Sequence, residues 1–173
     1  MHRILFLLAV AIVAMPAAAC LWDSDTLADE ATGHLDFIRV VTGRFERNPP
    51  IYYEMRLARV SQLLKTDPRQ HNAYDDAGVA CDRLGRDDEA IGWLQKKRAH
   101  LSPLPANQDE WYRYYANLGT FCAHQWFRGG AKQNELSEPG RARDLIAKAI
   151  EINPNAHFGR EWVQLGIIRW IIG

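Results

Sequence analysis

The sequence has no surplus of charge in either direction. Lys and Arg together number 21, and so do Asp and Glu. A main partner among the nucleic acids is therefore excluded, because phosphate binding needs a basic excess or a basic stripe. Cysteine is scarce, with three residues in 173 and no Cys-x-x-Cys spacing, so neither a disulfide scaffold nor a thiol zinc motif is present. There is no Gly-x-Ser-x-Gly, no phosphate-cradling glycine loop and no His-Glu-x-x-His. The common hydrolase, nucleotide and zinc-protease signatures are absent with them. No cofactor is expected, and the chain reads as a non-enzyme. No segment alternates apolar and polar residues with period two, so no sheet is expected. What remains is 47% hydrophobic and 24% charged residues, the composition of a folded chain, and an all-α one.

The first nineteen residues carry an address. His2 and Arg3 make a short basic start, and Ile4 to Met15 is an unbroken apolar run. That run is too short for a bilayer, which needs about 20 residues. Pro16 breaks it, and Ala17, Ala18 and Ala19 supply the small residues of a cleavage site, so residues 1–19 read as a bacterial export signal. Cys20 follows at once and leaves two outcomes. Cleavage after Ala19 yields a free periplasmic protein, or Ala17-Ala18-Ala19-Cys20 serves as a lipobox and Cys20 becomes a lipidated N-terminus. A lipid at Cys20 would be the chain's link to a membrane.

Self-similarity organises the rest. Tyr74 is followed by Gly78, Cys81 and Gly85, then by Ala90 and Leu94, and the unit closes at Ser102-Pro103. Tyr115, Gly119 and Cys122 repeat the first half, and Ala142, Ile146, Ala149 and Pro154 repeat the second. Val60, Leu63, Leu64 and Asp67-Pro68 look like the closing half of a preceding unit. This pattern resembles the tetratricopeptide repeat, a helix–turn–helix of about 34 residues. The resemblance implies a short α-solenoid in which Gly78 and Gly119 let two helices approach, with Tyr74, Ala90, Leu94, Tyr115, Ala142, Ile146, Ala149 and Pro154 packing around them.

On this reading residues 20–70 form an N-terminal helical pair or partial repeat, and 71–104 form one repeat. Residues 105–111 are a linker, 112–154 a second repeat with an inserted loop at 125–139, and 155–173 the first helix of an incomplete third. Thr26 with Asp29 fits a capping box for a helix reaching about Thr42. Asn48-Pro49 fits the start of another over 49–65. Asp87 is placed to cap the helix after Gly85. Cys81 and Cys122 fall at equivalent positions and are expected as free thiols.

The resemblance also implies where a partner would lie. Asn72, Asp75, Val79, Asp82, Arg113 and Thr120 occupy positions that line the concave face of such repeats, so a protein or peptide partner is expected there. Asp82 is expected on a solvated face, where Asp82→Asn would do little. A carboxylate clamp of the family would need Lys and Asn where Asp75 and Val79 stand, so recognition of a C-terminal carboxylate is not implied. His157 and Glu161 share a helix face but lack a third metal ligand. Asp23 and Asp25 suit a helix N-terminus as readily as a cation, and Lys96-Lys97-Arg98 suits a helix C-terminus without a ligand. After Pro154 the apolar residues Phe158, Trp162, Val163, Leu165, Ile167, Ile168, Trp170, Ile171 and Ile172 cover nearly every side of a helix. Self-association through 158–172 is therefore expected. The functional expectation is an exported interaction module, with a structural subunit of an envelope assembly, or the front part of a longer repeat protein, as the alternative.

Overall fold

Two prolines set the first helix boundary. Residues preceding proline avoid helical backbone, and Pro49 is extended (ψ 157°), so helix α1, Pro50–Thr66, starts at the second proline. The structure, a computed structural model, describes residues 21–25 and 48–173, without the side chains of 157 and 158. The export signal, Cys20 and the Thr26 capping box lie outside the described residues. The helices that follow are α2 (His71–Arg83), α3 (Asp87–Arg98), α4 (Gln108–Arg128), α5 (Ser137–Ile152) and α6 (Arg160–Ile172), the last preceded by a 3-10 turn at Ala156–Gly159. Among the described residues there is no strand. The fold is all-α.

Helices α2 and α3, and again α4 and α5, form two hairpins built on the same local devices. α2 ends with Gly85 at φ +74°, where a side chain would be strained. The Arg86 N–H donates to the Cys81 carbonyl and the Gly85 N–H to that of Asp82, the pair of bonds that closes a left-handed helix terminus. α4 ends alike, with Gly130 at φ +97°, Ala131 donating to Trp126 and Gly130 to Phe127. Inside each hairpin a glycine permits close approach. A Cβ on Gly78 would lie 2.6 Å from Leu94 Cδ2 and 3.0 Å from Phe121; on Gly119 it would lie 2.8 Å from Ile146 Cδ1. Ala90, Leu94, Ala142, Ile146 and Ala149 are wholly buried, and Tyr74 nearly so. Tyr115 is half-buried and stacks on Trp111 with ring centroids 5.5 Å apart.

Several expected boundaries move. The linker is shorter than 105–111, because α4 starts at Gln108. The inserted loop is 129–136 rather than 125–139, since Gln125 to Arg128 remain helical and α5 starts at Ser137. Asp87 is the first residue of α3 and makes no cap; its carboxylate takes a hydrogen bond from Arg128. Pro154 is exposed in the turn after α5.

Cys81 and Cys122 are free and buried. Burial pushes the Cys81 thiol up to about 11 and that of Cys122 to about 12, which makes both poor nucleophiles. On α6 only Glu161, Leu165 and Ile168 are buried, one turn apart. Trp162, Val163, Ile167 and Trp170 stay exposed, Trp170 at 72%.

Candidate functional site

The sequence His71–Arg83 places three aspartates on a helix with ten consecutive buried residues. Asp75, Asp76 and Asp82 are 2%, 5% and 1% exposed. A buried carboxylate is tolerated only when paired and hydrogen-bonded, and each draws its partner from a different helix. Asp75 accepts from Lys97 of α3 at 2.5 Å, and Lys97 also reaches Glu110 at 2.8 Å. Asp82 meets His124 Nδ1 at 2.8 Å and Arg128 at 3.0 Å, both from α4. Asp76 accepts from Arg56 Nη2 of α1 at 2.7 Å. Burial raises the Asp75 carboxyl, and although Lys97 and Asn117 oppose this it is pushed up to about 6. Burial acts on Asp82 in the same sense, but the hydrogen bond and charge of His124 and the charge of Arg128 outweigh it and hold the carboxyl below its ordinary value.

The face where α1, α2 and α4 present Arg56, Asp76 and Asn117 is covered by the chain itself. Residues 21–25 lie across it as a strap, held at every position. Asn117, wholly buried on α4, reads the backbone of Trp22 in both directions. Its Oδ1 accepts the Trp22 N–H at 2.8 Å, and its Nδ2 donates to the Trp22 carbonyl at 3.0 Å. The second Nδ2 hydrogen goes to Asp75 at 3.2 Å, which fixes the orientation of the amide, because a carboxylate can only accept. The Trp22 indole donates to Tyr112 Oη at 3.1 Å, and Tyr112 in turn donates to Glu161 on α6. The two rings meet edge to face, 6.0 Å apart at 84°. The Arg113 guanidinium lies 5.2 Å from the centre of the Trp22 ring, a cation–π distance, and also donates to Asn72 at 2.7 Å.

Among the described residues, the acidic end of the strap meets one cation, Arg56. Arg56, with 2% of its side chain exposed, donates to Asp23 at 2.8 Å and Asp25 at 3.1 Å as well as to Asp76. Burial disfavours its charge, but the three carboxylates outweigh that and hold its pKa above the usual arginine value. Ser24 donates its N–H and its hydroxyl to the two oxygens of Asp76, each at 2.8 Å, and Tyr52 donates to Asp25 at 2.8 Å. Leu21, 5% exposed, joins the apolar cluster that includes Val79, Leu165 and Ile168.

Of the residues expected to meet a partner, Asn72, Asp75 and Arg113 do line one crevice, and Trp22, Asp23 and Ser24 close it. Val79 and Thr120 are buried, and Thr120 is bonded to Ala116 and Gln164. Asp82 is not solvated: it is buried beneath His124 and Arg128, which corrects that expectation. Lys97 stands in the last turn of α3, as expected, and there forms a wholly buried ion pair with Asp75. Asn117 was within reach of the sequence, since steps of four and three from Arg113 pass through it to Thr120 and then His124. Arg56 and Asp76 had no such signal. Their role depends on the strap, whose docking no local spacing announces.

Glu161 is buried and engaged by Tyr112, and the side chain of His157 lies outside the described residues. Among the described residues no group of three or more His, Cys, Asp or Glu could hold a metal ion, and no helix is long and apolar enough to cross a membrane. No family model matches the chain, and no curated protein matches it.

Proposed function

We propose that this is an exported protein–protein interaction module of the tetratricopeptide-repeat type, free in the periplasm or anchored through a lipid at Cys20, whose ligand is a protein segment bound along the face of α1, α2 and α4. One observation carries the reading: the Asn117 amide already pairs with both the N–H and the C=O of one residue, Trp22. That is how a surface recognises polypeptide independently of side-chain identity. Affinity purification of the native protein from envelope membranes, repeated with Arg113→Glu, tests it. Loss of a stoichiometric partner in the variant supports the reading, and identical recovery from both refutes this face as the binding surface.

A structural subunit is favoured by a different observation, the row of Trp162, Val163, Ile167 and Trp170 left exposed on α6. Apolar rows of this kind suit a permanent neighbour. A partner lost on Trp170→Glu but retained by Arg113→Glu would establish that alternative.

A further inference from the structure

We propose that Leu21–Asp25 is a tethered ligand, and that the external partner is a segment of the same chemistry, an apolar residue and tryptophan followed by carboxylates one and three positions after the tryptophan. The inference rests on the interaction-module reading above and supplies the chemistry of its ligand. Each requirement corresponds to a group on the receiving face. The Trp position is defined three times, by the edge of Tyr112, the guanidinium of Arg113 and the hydrogen bond from the indole to Tyr112 Oη. The first carboxylate is defined by Arg56, and the second by Arg56 and Tyr52 together. Between them, Asp76 takes a backbone N–H and a hydroxyl, so a small hydroxylated residue fits best there. Asn117 fixes the register by holding both backbone groups of the Trp residue.

The receiving groups make poor sense as core. Arg56 keeps an Nε atom buried without a hydrogen-bond partner, and it draws two of its three carboxylates from the strap. Ser24 of the strap is exposed, and the Asp25 side chain is 43% exposed. A linked segment competes at an effective concentration in the millimolar range, so the intact chain should bind such a peptide weakly, and weakening the strap should reveal the site.

The probe is a fluorescent peptide with the sequence Leu-Trp-Asp-Ser-Asp-Thr-Leu, titrated with the full chain and with the Trp22→Ala/Asp23→Ala variant. The variant should bind at least about tenfold tighter than the intact chain. Adding Arg113→Ala should weaken it, and replacing the peptide's tryptophan with alanine should abolish binding. Circular dichroism confirms that the variants are helical; should the double variant unfold, Asp25→Ala alone, at the more exposed end, is used with the same expectation. Equal affinity for folded variant and intact chain overturns the proposal. So does light scattering that shows the intact chain to be a dimer dissolved by the strap substitutions, since the occupant would then be a second copy. If the peptide does not bind but Arg113→Glu still loses a partner from membranes, the tethered ligand fails and the interaction module stands.

Discussion

The two helical hairpins are alike in their apolar skeleton and unlike in what joins them to the rest of the molecule. Both hold a glycine against a large aliphatic residue, both carry a buried cysteine, and both end their first helix on a left-handed glycine. In the second hairpin, α5 buries only apolar residues: Pro139, Ala142, Ile146, Ala149 and Ile150. In the first, α2 buries three aspartates, and α3 buries a lysine. Apolar packing of this kind tolerates sliding between similar shapes, whereas buried ion pairs penalise any arrangement that separates them. The first hairpin is thereby the hub: Asp76 fixes α1 and the strap, and Asp82 and Asp75 fix α4.

The comparison breaks most sharply at Lys97. Lys97→Met strands Asp75 and Glu110, and the expected loss is about 3–5 kcal/mol in denaturant unfolding. Lys97→Met with Asp75→Leu should recover at least half of that loss. If the double variant is no better than the single, the pair is not the joint it is argued to be. Gly78→Leu and Gly119→Leu come next, each costing about 1–3 kcal/mol through overpacking. The two should agree closely, because the skeleton is shared. Asp82→Asn should cost about 1–3 kcal/mol through the weakened bonds to His124 and Arg128.

Acidity separates Asp75 from Asp82. The Asp75 carboxyl is raised in the folded state, so from about pH 4 to about 6 the native protein holds more protons than the unfolded chain. Stability from this group is fullest below that window and is lost as pH rises through it. Asp82 runs the other way: its carboxyl is depressed, so its contribution is present above the ordinary carboxylate range and is lost as pH falls through the folded value. Asp75→Asn should flatten the decline of stability between pH 4 and 6, and an unchanged slope would assign that decline elsewhere. The smallest effect is expected at Lys132 and Glu135, paired at 3.0 Å but both more than half exposed. Lys132→Ala should leave the unfolding midpoint unchanged.

What could be read from the sequence follows the same division. Gly78, Gly119, Leu94 and Ile146 belong to the repeated pattern that resembles the tetratricopeptide repeat, and that resemblance located them. The end of α4 was misplaced because Gly129, Gly130 and the polar residues after them look like a loop that begins before Trp126, yet Trp126 is buried and keeps that turn helical. Asp82 was read as solvated, and Lys97 only as a charge that suits a helix C-terminus, because charge suggests water until a partner is found. Their partners, His124, Arg128 and Asp75, come from helices whose relative placement no single segment encodes. The acidic pair Asp23 and Asp25 was recognised as a feature, but its cation, Arg56, lies 33 residues from Asp23.

The strap joins residues that are far apart in the chain, and this has a consequence for the order of assembly. Trp22 and Asn117 are 95 positions apart, so a growing chain exposes the strap long before α4 exists to receive it. Closing so long a loop yields little until α1, α2 and α4 already stand together. Docking of the strap is then the final event of folding, and its release the cheapest partial opening of the folded protein. Amide hydrogen exchange should read that order directly, with the N–H groups of Trp22 and Ser24 exchanging well ahead of those in the middle of α2, although both are hydrogen-bonded in the native state.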